Sequence, residues 1–413
     1  MKYGCIGEHL KHSFSKEIHK KISDYDYEIR EIERDALMAF ALERNFSAIN
    51  VTIPYKELIM PYLDHIDDYA AEIGAVNTVV NKSGKLYGYN TDFYGMSELI
   101  KHIGISLSGK KVIILGTGGT SKTALTVARA LSAKEVIRVS RSRNEDAISY
   151  EDLYKIHTDA DVIINTTPVG MFPEIFNTPI DLSMFPKLSG VVDAIYNPLR
   201  SVLIMQARER GILAEGGLYM LVAQAVRASE YFKDTKYSDE LIERIYADMV
   251  KDKENIVLIG MPGSGKSTVG RILAKKYNRT LVDTDALVEM KTGKRISDIF
   301  KENGEAEFRR LETEVILEAS ANTELIISTG GGAILNKDNI EALRQNGRIY
   351  FIDRPLDALI PTDDRPLAQS YEAVAKRYSE RYDRYVASAD ITVDAVCNAD
   401  DVSEKIRKDF DNR

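Results

Sequence analysis

Cysteine is scarce in this chain: Cys5 and Cys397 are the only 2 in 413 residues, and they stand too far apart in sequence for a disulfide framework. The start Met-Lys-Tyr-Gly-Cys lacks the charged-then-apolar pattern of a signal peptide, so a reduced, cytoplasmic setting is expected. Basic residues are in deficit. Lys and Arg total 55 against 63 Asp and Glu, a formal net charge of -8. A nucleic-acid surface needs the opposite balance, so nucleic acid is not expected as a partner. The 6 histidines show no metal-ligand spacing, and His9, His12 and His19 read as helix-flanking or surface polar residues. A composition 44% hydrophobic and 29% charged fits a globular chain rather than a membrane or disordered one.

Apolar runs of strand length alternate with segments of helical period, the pattern of an α/β fold. Three blocks are expected, at residues 1–104, 105–250 and 254–413. The first carries strands at 2–6, 48–52 and 76–80. The second opens at Lys110 and adds strands at 136–140, 161–165 and 190–194 interleaved with helices, a Rossmann-like unit. Helices follow at 217–232 and 238–250 and are expected to pack back on the preceding blocks. The polar stretch Lys251-Asp252-Lys253-Glu254-Asn255 reads as a short linker to the last block.

Two glycine-rich loops of different design each follow an apolar run. Gly116-Thr117-Gly118-Gly119 suits a dinucleotide, because glycine lets the backbone approach a pyrophosphate and the helix expected from Thr120 offers its N-terminal N–H groups. Packing alone also produces such turns. The next strand ends Val139-Ser140-Arg141-Ser142-Arg143, where an NAD site places an acidic residue; two arginines and two hydroxyls favour a ribose 2′-phosphate, hence NADP(H). The second loop, Gly260-Met261-Pro262-Gly263-Ser264-Gly265-Lys266-Ser267-Thr268, is a complete GxxxxGK[ST] phosphate loop. Backbone N–H groups from Gly263 to Lys266 suit a β-phosphate, the Lys266 ammonium the β- and γ-phosphates, and the Ser267 hydroxyl Mg²⁺. No guanine-reading motif is visible, which favours ATP.

Four short stretches carry the polar chemistry of the first block. Ser13-Phe14-Ser15 places two hydroxyls on one side of an extended segment, and Asn50-Val51-Thr52-Ile53-Pro54-Tyr55-Lys56 delivers an amide, a hydroxyl and an ammonium to one loop. Gly74-Ala75-Val76-Asn77-Thr78 and Asn90-Thr91-Asp92 add amides and a carboxylate. Singly, each is ordinary turn or cap chemistry. In this order, with Gly116-x-Gly118-Gly119, Asn165-Thr166-Thr167-Pro168, Asp193-x-x-Tyr196-Asn197-Pro198 and Gly217-Leu218-x-Met220-Leu221-x-x-Gln224, the set resembles shikimate dehydrogenase over residues 1–250. The resemblance implies a substrate-binding domain at 1–104 and an NADP-binding Rossmann domain at 105–250. It also implies that Ser13 and Ser15 hold the substrate carboxylate, that Asn50, Thr52, Asn77, Asp92 and Gln224 bind ring oxygens, and that Tyr196 helps close the site. Lys56 and Asp92 would flank the reacting C3 oxygen. Where the family often carries Trp, this chain reads Ser229-Glu230-Tyr231-Phe232.

Downstream of the phosphate loop, Val282-Asp283-Thr284-Asp285 is expected to end a strand with both carboxylates on one side. Arg309 of Gly304-Glu305-x-x-Phe308-Arg309-x-x-Glu312, read by itself, pairs with Glu305 or Glu312 on a helix face. Gly330-Gly331-Gly332 brings backbone close to a ligand. Together these resemble shikimate kinase over residues 254–413. The resemblance implies Asp283 near Mg²⁺, Asp285 on the substrate hydroxyl, Arg309 and Arg381 on the carboxylate, and backbone contacts from Gly331 and Gly332. Arg365 of Asp364-Arg365-Pro366-Leu367 would reach the transferring phosphate from a lid that is a few residues shorter than usual.

The two resemblances join chemically: reduction of 3-dehydroshikimate to shikimate, then phosphorylation of the same C3 hydroxyl to shikimate 3-phosphate, both toward aromatic amino acids. The expected partners are those small molecules, with NADP(H), ATP and Mg²⁺ and no membrane; oligomeric state is left open. Three rival readings stand beside this one: a quinate- or NAD-preferring dehydrogenase; a regulatory protein in which one half, such as a catalytically weak kinase-like half, keeps its fold and ligand and serves as a metabolite or nucleotide sensor; and an unrelated P-loop motor or switch, which leaves Asp285, Arg309 and the triple glycine unexplained.

Overall fold

The alternation of apolar runs and helical segments builds three sheets in two units, Met1–Met249 and Val250–Arg413. The structure is a computed structural model that describes residues 1–8, 10, 14–141, 146–359 and 371–412. Ser13, Ser142 and Arg365, with His9, His12 and Arg143, lie outside the described residues. Among the described residues, no helix is long and apolar enough to cross a membrane.

The first unit holds two six-stranded sheets. In the first, the spatial order is Tyr27–Glu31, Tyr3–Gly7, Ala48–Val51, Thr78–Lys82, Lys85–Tyr89, His65–Ile66, with parallel pairing among the first three and antiparallel pairing around Thr78–Lys82. The hairpin between Thr78–Lys82 and Lys85–Tyr89 turns on Ser83 and Gly84, both at positive φ (53° and 83°), as a tight two-residue turn requires. The second sheet is wholly parallel, in the order Leu213–Glu215, Gly190–Asp193, Val162–Asn165, Lys111–Leu115, Glu135–Ser140, Ile148–Ser149. Its central strands are buried along almost their whole length, the mark of a sheet covered on both faces. The chain order reverses at Lys111–Leu115, so the loop after that strand opens on the crevice where such sheets bind ligands.

Helix Leu218–Lys233 returns to the first sheet. There Phe232 stacks on Tyr3 with ring centroids 5.7 Å apart, and Tyr231 stacks on Tyr89 at 3.9 Å. Helix Asp239–Lys253 is tied to it by Tyr219, whose hydroxyl donates to Glu243 at 2.6 Å.

The second unit is one five-stranded parallel sheet, ordered Thr280–Asp283, Leu325–Ser328, Asn255–Ile259, Gly347–Asp353, Ile391–Asp394. Strand Asn255–Ile259 is central, and its side chains alternate between two cores: Val257 and Ile259 join one, Ile256 and Leu258 the other.

Four local expectations need correction. The helix expected to end at 250 continues to Lys253, and within the polar stretch Lys253, Glu254 and Asn255 are buried. Arg279 donates to the carbonyls of Lys251, Asp252 and Glu254, and Asn255 bridges Asn322 and Leu325, so these polar groups are satisfied inside. Asp285 is not a strand residue, because the strand ends at Asp283, which caps helix Thr284–Thr292. Ser15 opens helix Ser15–Ile22 instead of lying in an extended segment. His19 is wholly buried and not a surface residue.

Candidate active sites

The dinucleotide loop sits on the crevice of the parallel sheet. Gly116 has φ 107°, and a Cβ there would approach Thr166 Oγ1 to 2.8 Å, so the position admits only glycine. Ser121 Oγ donates to Gly116 O at 2.7 Å and closes the turn. Helix Gly119–Ala130 follows with no acidic residue in its first turn, and the space above Gly118 and Gly119 is open. That is a floor for a pyrophosphate at a helix N-terminus. Thr120 lies in the same first turn. Strand Glu135–Ser140 ends beside it, followed by the exposed Arg141.

In the first sheet, the loop after strand Ala48–Val51 carries Lys56 on helix Tyr55–Leu58, and Asp92 lies in the first turn of helix Thr91–Ile103. Lys56 Nζ donates to Asp92 Oδ2 at 2.5 Å, in a partly exposed pair. Around it runs a chain of amides. Asn77 Oδ1 accepts from Thr91 N at 2.7 Å, Thr91 Oγ1 donates to Gln224 Oε1 at 3.2 Å, and Asn50 Nδ2 donates to Thr78 Oγ1 at 3.1 Å. Thr52 follows on the same loop as Asn50. Tyr196 lies over the Ser15 segment through Phe14, their ring centroids 5.5 Å apart.

Two residues that local sequence reading missed stand behind this chain. Tyr27 donates its hydroxyl to Asn50 Oδ1 at 2.7 Å, and His19 stacks on the Tyr27 ring with centroids 3.9 Å apart. Burial drives the His19 pKa down to about 3, so the imidazole stays neutral. No short-range signal could have paired Tyr27 with Asn50, because only the sheet brings them together.

In the second unit, the phosphate loop forms one wall of a cavity of about 1210 Å³. Gly263 and Gly265 take φ 84° and 95°, and Ser264 Oγ is buried without a hydrogen-bond partner among the described residues. An orphaned buried hydroxyl in this loop suits a phosphate oxygen. Lys266 Nζ donates to the carbonyls of Gly260 and Met261 at 2.8 and 3.0 Å, within the loop itself. Ser267 Oγ donates to Asp283 Oδ2 at 2.7 Å, and this hydroxyl and carboxylate are hard oxygen donors that suit Mg²⁺. Thr268 also lines the cavity.

The same cavity is lined by acidic and basic groups. Half-buried Asp285 is pushed up to about 6, first by desolvation and then by Glu312 and Asp283. A Cβ on Gly330 would come within 2.5 Å of both Asp285 Oδ1 and Glu312 Oε1, so glycine there lets the two carboxylates converge. Arg309 donates to Glu312 at 2.6 Å and to Glu305 at 3.0 Å, the helix pairing read from spacing, and also faces the cavity. Gly332 lies directly beneath the Arg309 guanidinium. Gly331 O accepts from Arg381 Nη1 at 3.1 Å and from the Tyr385 hydroxyl at 2.5 Å.

Comparison with known proteins decides the family. Over 271 residues the chain is 35% identical to a shikimate dehydrogenase (NADP(+)) of Clostridium perfringens, covering 60% of this chain and 97% of the relative. This chain belongs to the shikimate dehydrogenase family. The model of the shikimate dehydrogenase substrate binding domain matches residues 5–79, and that of shikimate kinase matches 262–411. Among solved structures, shikimate dehydrogenase 1 of Peptoclostridium difficile is 36% identical with a TM-score of 0.55, covering 60% of this chain and 98% of its own. A chorismate mutase/shikimate 5-dehydrogenase fusion protein from Clostridium acetobutylicum is 33% identical with a TM-score of 0.57, covering 60% and 96%. The dehydrogenase of Thermus thermophilus, solved with NADP(H) and shikimate, is 27% identical with a TM-score of 0.55, covering 60% and 99%. This dehydrogenase-family chain thus carries a shikimate kinase domain after its dehydrogenase unit.

Proposed function

We propose that the chain catalyses two consecutive reactions, reduction of 3-dehydroshikimate to shikimate with NADPH and phosphorylation of shikimate to shikimate 3-phosphate with ATP. The observation that carries the reading is that one chain joins a shikimate dehydrogenase unit to a kinase domain whose cavity is lined by both the phosphate loop and the Asp285 carboxylate. The hydroxyl made by the first is the acceptor of the second.

In the first site, bound NADPH supplies the hydride. Gly116, Gly118, Gly119 and Thr120 hold its pyrophosphate, and Ser140 and Arg141 its 2′-phosphate. Asn50, Thr52, Asn77 and Gln224 fix the ring hydroxyls of the substrate, Ser15 its carboxylate, and Tyr196 covers it. Lys56, held beside Asp92, stands at the C3 oxygen, where an ammonium stabilises developing alkoxide charge and a proton is delivered.

In the second site, the phosphate loop from Gly263 to Thr268 holds the triphosphate, and Ser267 with Asp283 holds Mg²⁺, which supplies charge neutralisation on the phosphates. Asp285, with its raised pKa, would accept the proton of the C3 hydroxyl as that oxygen bonds to the γ-phosphorus and the bond from the γ-phosphorus to the β,γ-bridging oxygen breaks, releasing ADP. Arg309, Arg381 and the Gly331–Gly332 backbone orient the acceptor.

The test is to assay the halves separately. Purified protein should consume NADPH with 3-dehydroshikimate in the absence of ATP, and release ADP with shikimate in the absence of NADPH. Failure of either would remove that half of the proposal.

A further inference from the structure

Besides Arg309 and Arg381, the kinase cavity is lined by Arg271, Arg295 and Arg377, and of these Arg377 shares a helix with Arg381. Arg377 and Arg381 stand one turn apart on helix Tyr371–Ser388, and both line the cavity with Arg309. Spacing of four residues puts two side chains on one face of a helix.

The three guanidinium groups differ in how far they are already used. Arg309 spends Nε and Nη2 on Glu305 and Nη1 on Glu312. Arg381 gives Nη1 to Gly331 O. Arg377 makes one long contact, Nη1 to Ala373 O at 3.4 Å in its own helix, and no ion pair with the described residues. Desolvation first, and then the neighbouring Arg381, lower the Arg377 pKa against the opposing pull of Glu305 and Glu380.

On the reading of the second unit as a shikimate kinase, we infer that Arg377 is a specificity residue whose guanidinium binds the carboxylate of the phosphoryl acceptor, alongside Arg381. A planar fork of N–H donors matches a carboxylate in two parallel bonds, and a desolvated wall makes such bonds strong.

The experiment compares wild type with Arg377→Gln and Arg377→Lys, each as the full chain, using shikimate and its uncharged methyl ester as acceptors at saturating ATP. Arg377→Gln should raise KM for shikimate on the order of ten- to a hundredfold. It should leave KM for ATP within about twofold and change the methyl ester little. Arg377→Lys, which keeps the charge but loses the fork, should fall between and also serves if the Gln variant does not fold. Equal losses with both acceptors, an unchanged shikimate KM, or a fall in kcat alone would overturn the assignment. Wild-type turnover of shikimate is the separate check on the kinase reading itself, and NADPH oxidation by the same samples should be unchanged.

Discussion

Lys56 Nζ and Asp92 Oδ2 are 2.5 Å apart, although 36 residues separate them in sequence. Strand Ala48–Val51 delivers the lysine and helix Thr91–Ile103 the aspartate, and the bond from Val76 N to Lys56 O at 2.8 Å holds the lysine loop against the segment leading to Asn77. On the proposed reading, this ammonium serves the reacting C3 oxygen. Lys56→Ala should therefore lower the reductase kcat by about 10²- to 10⁴-fold, the usual worth of a positioned acid and charge. Kinase rates of the same sample should stay at wild-type values, and a parallel loss of both activities would contradict the assignment.

Asp285 gives a pH signature. Its carboxyl, pushed up to about 6 by desolvation and by Glu312 and Asp283, is protonated below that pH. A protonated carboxyl cannot accept the acceptor's proton, so kinase kcat/KM should fall as pH drops through about 6 while the reductase keeps its own profile. An acid limb absent down to pH 5 would count against Asp285 as the base.

The same shift has a stability consequence of opposite sign. A carboxyl whose folded pKa lies above its unfolded value binds more protons when folded, so it costs stability above about pH 6 and the cost disappears as pH falls toward the unfolded value. At pH 7.5, Asp285→Asn should raise the melting temperature of the kinase unit while abolishing its activity. A lowered melting temperature would show that Asp285 is held by contacts that favour its charged form.

Tyr27→Phe removes the donor to Asn50 Oδ1, which is buried. An unpaired buried acceptor costs about 1–3 kcal/mol, and the Asn50 amide loses one of the contacts that orient it, keeping those from Nδ2 to Thr78 Oγ1 and Asn77 O. Urea denaturation followed at the dehydrogenase unit should show the lost stability, with a higher KM for 3-dehydroshikimate and an unchanged KM for NADPH. An unchanged substrate KM would make Tyr27 purely structural.

Arg141 should set cofactor choice. Arg141→Ala is expected to raise KM for NADPH by about tenfold or more, as loss of a charge-assisted phosphate bond does, and to leave KM for NADH nearly unchanged. Equal effects on both cofactors would remove Arg141 from the 2′-phosphate site.

What could be read in the sequence divides along physical lines. The phosphate loop was legible because eight consecutive positions each answer a local demand, positive φ at Gly263 and Gly265 and a cation at Lys266. The central strands were legible because Val112 to Leu115 and Ile256 to Ile259 are apolar on both faces. Strand Tyr27–Glu31 was not expected, since as an edge strand it buries Tyr27, half-buries Ile29 and exposes charge at Glu28, Arg30 and Glu31. Lys253 to Asn255 read as linker because their polarity gave no hint of the internal partners that satisfy them. Arg377 escaped for a similar reason: its meaning depends on Arg309 being already committed to Glu305 and Glu312, a fact of three dimensions.

The most direct test of two linked activities is a single reaction of the purified chain with 3-dehydroshikimate, NADPH, ATP and Mg²⁺, followed by NADPH absorbance and product mass. The account predicts NADPH loss with shikimate 3-phosphate as the end product, and shikimate as the end product when ATP is left out. Shikimate accumulating despite ATP, or NADPH left untouched, would contradict it.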